Sequence, residues 1–299
     1  MQKKDETIFD YRKSKDLLNY QYVIDEQVNG KFTKHSFRTE QTGYVDCYFY
    51  RPASDNNAKL PVLINLHGGG FVLGYCEQDG IYCQLLADSC NYCVVNIDYC
   101  LAPEFKFPNA IKATYDVVCQ IQKRQEEFNI DCSSIALLGH SAGGSIAGAI
   151  ALLDKDFHKL KIAKVIMDYP LLDQEEFYQM RDAKIQSHAI SRILDYINWY
   201  LPNPIKDVNN PLASPLKADL SGLPSMFILG AEMDPLCKQG KAFYQKAKRQ
   251  KSDVYFKCYR GCNHGFTHKW LSEYNKEKSE EAWSDIADFL QNKKIVGAL

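Results

Sequence analysis

The pentapeptide Gly139-His140-Ser141-Ala142-Gly143 sets a serine between glycines two positions to either side. It follows the apolar run 134–138 directly and precedes the small-residue stretch 145–153. A serine on a sharp strand-to-helix turn presents its hydroxyl to substrate, and only residues without bulk let the chain pass so close to itself. Attack on an acyl carbonyl is the chemistry such a serine offers. A second stretch, His67-Gly68-Gly69-Gly70-Phe71, follows the apolar run 60–66. Three successive glycines leave backbone N–H groups unshielded, which suits a developing oxyanion better than a neutral carbonyl. A phosphate cradle would need the Lys-Ser/Thr of a P-loop or the spaced third glycine of a dinucleotide fingerprint, and neither is present.

A serine nucleophile needs a base to take its proton and an acid to hold that base in the right tautomer. Of seven histidines, His264 lies in the glycine-flanked segment Gly261-Cys262-Asn263-His264-Gly265-Phe266, just past the last apolar run. His67 opens the glycine loop and reads as structural, and His140 points away from its neighbour on a tight turn. His35, His158 and His188 sit among charges and are expected at the surface. For the acid, Asp234 in Gly230-Ala231-Glu232-Met233-Asp234-Pro235-Leu236 follows the run 225–229; Asp168, at the end of another run, competes with it, and Glu232 less so. The chain order Ser141, Asp234, His264 is that of the α/β-hydrolases. His264 and His268 form H-x-x-x-H, but Gly265 replaces the glutamate of a zinc-protease motif and no third ligand is evident. No metal and no cofactor is expected.

Something must hold these residues together. From Leu60 onward, short β-branched runs at 60–66, 92–98, 134–138, 163–167, 225–229 and 254–259 alternate with amphipathic stretches at 111–128 and 237–249. Trp283, Ile286, Ala287 and Leu290 add an i, i+3, i+4, i+7 face. This rhythm predicts an α/β fold with a mostly parallel central sheet flanked by helices. Two segments break it. Residues 1–44 are rich in charge and aromatics, helical and then extended; residues 175–212 insert a helical face of Ile190, Ile193, Leu194, Ile197 and Leu201 that ends at Pro202. Together they would form a small helical lid over the two core parts, 45–174 and 213–299.

On these residues the chain resembles the hormone-sensitive-lipase-like family of α/β-hydrolase esterases. The matching motifs are His67–Phe71, Asp98-Tyr-Cys-Leu-Ala-Pro-Glu104 with Phe107-Pro108, Gly139–Gly144, Tyr169-Pro-Leu-Leu-Asp173, Gly230–Leu236 and Gly261–Phe266, in family order across about two thirds of the chain. The resemblance implies an α/β-hydrolase fold and a serine carboxylesterase acting on short, acetyl-like esters. It implies Ser141 as nucleophile, His264 and Asp234 as its partners, and the backbone N–H groups of Gly68, Gly69 and Ala142 as the oxyanion hole. It also implies a cap built from the N-terminal arm and the 175–212 insertion. The chain departs from the pattern at His140, where the family often has an acid, at Cys100, where arginine is usual, and at Cys237-Lys238, where Arg-Asp is common. Two other functions fit the same fold: a small-ligand receptor without catalysis, and an amidase or formamidase using the same three residues.

Composition narrows the partners. With 36 Lys+Arg against 37 Asp+Glu in 299 residues, nothing favours a phosphate backbone or an anionic membrane surface. No stretch approaches the roughly 18 apolar residues of a membrane span, and the polar start Met1-Gln2-Lys3-Lys4 does not read as a secretory signal. Eleven cysteines, an odd and scattered number, read as reduced thiols in a cytoplasmic protein, with Cys90 and Cys93 serving packing rather than redox chemistry. A small-molecule ester is the expected partner, and a homodimer is compatible with the sequence.

Overall fold

The computed structural model describes residues 7–23, 32–54, 57–74, 76–183 and 187–299. Eight strands form one sheet: β1 (Phe32–Thr39), β2 (Gly43–Tyr50), β3 (Leu60–Leu66), β4 (Cys93–Asp98), β5 (Ile130–His140), β6 (Ile162–Asp168), β7 (Ser225–Ala231) and β8 (Val254–Tyr259). Their spatial order is β1-β2-β4-β3-β5-β6-β7-β8. The β1–β2 and β2–β4 pairings are antiparallel and all others parallel.

The parallel strands are apolar on both faces because helices cover both. Alternate residues divide between two cores. Val62, Ile64, Val95, Leu137, Val165 and Ile228 face one side, where α3 (Asn109–Lys123), α4 (Ala142–Phe157) and α8 (Cys237–Arg249) pack. Leu63, Val94, Leu138, Ile166 and Phe227 face the other, against α2 (Gly80–Cys90) and α9 (Lys276–Leu290). There Tyr82 of α2 stacks on Trp283 of α9 at 4.4 Å between ring centres.

Above the sheet lie α1 (Ile8–Val23), α5 (Gln174–Tyr178), α6 (His188–Tyr200) and α7 (Pro204–Asp207). The Tyr11 hydroxyl of α1 meets that of Tyr196 in α6 at 2.6 Å, and the Tyr11 ring stacks on Trp199. Arg12 donates to the carbonyls of Val72 and Ala102 and forks onto Glu104, pinning α1 to the loops after β3 and β4. Tyr200 lies flat on Phe71, 3.9 Å between centres.

The alternating runs correspond to six of the eight strands, and β1 lies in the stretch read as extended within residues 1–44; β2 and α2 were not anticipated. Within the 1–44 arm, residues 32–39 are β1 and pair along the whole of β2. β1 is an edge strand whose first five residues are not buried, so it carries little of the apolar alternation that marks a strand in sequence. His35 also differs from expectation: it is half-buried, edge-on to Phe49 and Phe128.

Candidate active site

Parallel strands deliver their following loops to one edge of the sheet, and ligands of open α/β sheets bind beyond those carboxyl ends. Here the edge receives the glycine loop after β3, the serine turn after β5, Asp234 after β7 and His264 after β8.

The serine turn is tight. Ser141 has φ 52°, in the left-handed region, with ψ −115°, a conformation that costs on the order of 1–3 kcal/mol and persists because its surroundings dictate it. Its N–H donates to the Asp168 carbonyl at 2.8 Å, and its own carbonyl accepts from the Ser145 N–H at 3.1 Å. The flanking glycines are required sterically. A Cβ on Gly139 would strike the carbonyl of Gly143, and one on Gly143 would sit on the carbonyl oxygens of Leu66 and His67. Because both obstacles are backbone, Gly143→Ala is expected to destabilise the fold by about 3 kcal/mol or more, read from urea unfolding. A change below about 1 kcal/mol would contradict so close a passage.

Three side chains that are 30 to 123 residues apart in sequence meet here. The hydroxyl of Ser141 lies 2.9 Å from His264 Nε2, and His264 Nδ1 lies 2.6 Å from Asp234 Oδ2. Asp234 is buried and its other oxygen accepts the Leu236 N–H at 2.9 Å, which fixes the carboxylate's orientation. The His264 ring keeps 40% of its side-chain surface exposed and lies tilted against Tyr169, 4.7 Å between centres. Desolvation alone would disfavour the imidazolium, but the charge and hydrogen bond of Asp234 outweigh it and raise the pKa above the ordinary imidazole value. A base must be neutral to accept a proton. The acid limb of kcat/KM against pH is therefore expected above about 6.5, moving downward in Asp234→Asn; a limb below that value in the native protein would contradict the coupling.

The glycine loop abuts this series. A Cβ on Gly68 would lie 3.7 Å from the Ser141 Cβ, and Ala142 is the first residue of α4, so its N–H is one of the donors a helix start leaves unpaired. Among the described residues, the N–H groups of Gly68, Gly69 and Ala142 donate to no protein acceptor. The loop is held from beneath by His67, whose ring stacks on Tyr99 at 4.1 Å and whose carbonyl accepts the Tyr99 hydroxyl.

The competing acids have other occupations. Asp168 accepts from Thr267 Oγ1 at 2.8 Å and bonds His140 Nδ1 at 3.0 Å, and Glu232 accepts the Gly261 N–H. His158 and His188 are exposed, as expected. Tyr169 opens the motif Tyr169–Asp173 but was given no role at the site, and Arg12 carries no motif. A depression of about 660 Å³ borders Asp234, lined also by Cys237, Lys241, Phe256 and Arg260. It touches neither Ser141 nor His264, so it lies behind the acid rather than over the reacting groups.

A mostly parallel sheet with a strained serine turn, hydrogen-bonded in series to an imidazole and a buried carboxylate beside a glycine loop, has the arrangement of an α/β-hydrolase. Residues 63–268 match the family described as having the alpha/beta hydrolase fold. The chain belongs to that family. It is 36% identical over 198 residues to an arylesterase of Saccharolobus solfataricus, an alignment covering 65% of this chain and 63% of that protein's length. Among solved structures, it resembles a Pyrobaculum calidifontis esterase with a TM-score of 0.82 at 26% identity, covering 97% of this chain and 95% of that one. It likewise resembles a thermostable carboxylesterase cloned from a metagenomic library, TM-score 0.81 at 27% identity, covering 96% and 97%. Among the described residues, no helix is long and apolar enough to cross a membrane.

Proposed function

We propose that the protein is a carboxylic-ester hydrolase acting on small esters with short acyl groups, and that Ser141, His264 and Asp234 are its catalytic triad. The observation that carries this reading is the unbroken series from the Ser141 hydroxyl through His264 to Asp234, at 2.9 and 2.6 Å. In the first half-reaction the Ser141 oxygen attacks the ester carbonyl carbon while His264 Nε2 takes its proton. The carbonyl oxygen becomes an oxyanion facing the N–H groups of Gly68, Gly69 and Ala142. The intermediate collapses, its C–O bond to the alcohol breaks, and His264 returns the proton to the departing oxygen. In the second half, water gives a proton to His264 and attacks the acyl-enzyme; the acid leaves and Ser141 recovers its proton. Asp234 keeps the Nδ1 proton in place and stabilises the imidazolium throughout. Donors aimed at the developing charge rather than at the resting carbonyl supply about 10²- to 10³-fold each.

In the same proposal α1 and the 175–212 insertion form the cap. Its aromatics press on the glycine loop, since a Cβ on Gly70 would lie 2.6 Å from the Tyr196 ring. That crowding supports a preference for small acyl groups. Free thiols at all eleven cysteines suit a reducing compartment such as the cytoplasm. A ligand receptor would have no use for a serine hydrogen-bonded to an acid-oriented imidazole.

The test is a series of p-nitrophenyl esters from acetate to octanoate with the matched p-nitroacetanilide. Rates should be highest at two to four acyl carbons by kcat/KM, and lower by about tenfold or more for octanoate. Fastest turnover of the anilide would make the enzyme an amidase instead, and saturable binding of the acetate ester without turnover would make it a receptor.

A further inference from the structure

Beneath the serine turn, on the side away from the substrate, three buried side chains converge: Asp79 from the turn before α2, His140 at the end of β5, and His268 four residues past the catalytic histidine. One donor atom from each lies within 4.8 Å of those of the other two, and His268 Nε2 is 3.2 Å from Asp79 Oδ1.

Proton positions follow from the surrounding bonds. Thr267 Oγ1 donates to Asp168 Oδ2. Its contact with the Tyr169 hydroxyl at 2.7 Å must therefore use the tyrosine's only proton. The contacts of His268 Nδ1 with the Tyr169 oxygen and with Thr267 Oγ1, both at 2.9 Å, then need a proton on Nδ1, since both hydroxyl protons are already used. Likewise His140 Nδ1 lies 3.0 Å from the Asp168 carboxylate and donates to it. Both rings are thus anchored through Nδ1–H, which leaves Nε2 of each as a lone pair in the neutral ring, that of His268 beside Asp79. His140 Nε2 has no hydrogen-bond partner and His268 Nε2 has only the 3.2 Å contact with Asp79, although His140 is 1% and His268 4% exposed. The far oxygen of Asp79 is held by Asn65 Nδ2 at 2.7 Å.

Two imidazole lone pairs and a carboxylate buried together call for positive charge among them. We propose that Asp79, His140 and His268 supply three of the four ligands of one Zn²⁺ ion, or a first-row divalent ion of the same kind, with a water molecule as the fourth. The donor set of two imidazoles and one carboxylate suits zinc and not the all-oxygen shells of magnesium or calcium. The outer partners are those of metal-bound histidines, a carboxylate on one Nδ1–H and a hydroxyl on the other. Ligand bonds near 2.0–2.2 Å around a tetrahedral ion put donor atoms about 3.4 Å apart. The Asp79–His268 pair already meets that spacing, so the His140 ring must close on the other two. A divalent ion would balance the charges of Asp79 and Asp168 with both rings neutral. It would also tie the serine turn to the segment carrying His264, bracing two parts of the triad without touching substrate. The sequence concealed this cluster by pairing His268 with His264, whereas the fold gives His268 to His140, at the position where the family often has an acid.

The rival occupant is a pair of protons. Burial lowers the basicity of His140, but the Asp168 hydrogen bond and the charges of Asp79 and Asp168 outweigh it. Two imidazoliums would balance the same carboxylates. To separate these, the full-length protein is unfolded, stripped with a chelator and refolded with or without Zn²⁺. Metal is counted by plasma mass spectrometry after gel filtration, and thermal unfolding is followed in parallel. The proposal expects about one zinc per chain and a melting temperature higher by roughly 5 °C or more with zinc. Ser141→Ala and Cys258→Ser should retain the ion, whereas His140→Gln and His268→Gln should lose it. Wild-type protein refolded in zinc that holds less than about a tenth of an equivalent and melts unchanged would assign the gap to protons. Retention of a full equivalent by a His140→Gln/His268→Gln double variant would place the ion elsewhere. Should the variants fail to fold, the wild-type comparison decides alone.

Discussion

Ser141→Ala is expected to lower kcat on p-nitrophenyl acetate by about 10⁶-fold while leaving the melting temperature within a few degrees, because removing the nucleophile of a Ser-His-acid set costs nearly as much as removing the whole set. What remains is background hydrolysis helped by the N–H groups of the glycine loop and the α4 start. Alanine also relieves nothing in the turn, since the strain at φ 52° belongs to the backbone. KM should change little, so the loss falls in turnover. Steady-state rates together with active-site titration, which removes the contribution of contaminating esterase, check the figure. A residual activity within about a hundredfold of wild type would mean another group attacks the ester.

The second large effect separates two acids that the sequence left in competition. Asp234→Asn is expected to cost about 10⁴-fold in kcat with the fold intact, because an amide beside His264 Nδ1 no longer enforces the tautomer that leaves Nε2 free to accept the serine proton. Asp168→Asn should behave otherwise. Asp168 bonds His140 and Thr267 and has no place in the series running from Ser141. Its replacement should lower stability by about 1–3 kcal/mol through a buried network left partly unsatisfied, with kcat within about tenfold of wild type. Paired kinetics and unfolding of the two variants decide the matter. A turnover loss larger at Asp168 than at Asp234 would exchange their roles.

Much of this was legible before any coordinates, for identifiable reasons. Doubly covered strands such as β4 and β7 are almost continuously apolar, and tight turns leave glycines that tolerate no Cβ, so the sheet and the serine turn announce themselves in composition and spacing. The glycine loop did so too, through Gly68, Gly69 and Gly70. What stayed hidden depends on tertiary contact. β1 was legible only as an extended stretch, since it is exposed along its first half and gains its bounds from pairing with β2. α1 owes its position to Arg12 reaching two carbonyls some 60 and 90 residues away. Asp168 and Asp234 both fit the order Ser, Asp, His, so the preference for Asp234 rested on its place after the 225–229 run and on the motif Gly230–Leu236; the 2.6 Å contact with His264 adds a distance. The buried Asp79, His140 and His268 cluster has no sequence pattern, because its members come from the turn before α2, the end of β5 and the loop after β8.

The proposed mechanism stands on one oxygen being far more nucleophilic than every other hydroxyl in the chain. Reaction with a fluorophosphonate ester, followed by intact mass measurement and peptide mapping, tests that directly. The account predicts one adduct per chain, located on Ser141, formed in step with loss of esterase activity and nearly abolished in His264→Ala. Activity lost without an adduct on Ser141, or an adduct there that leaves turnover unchanged, would contradict it.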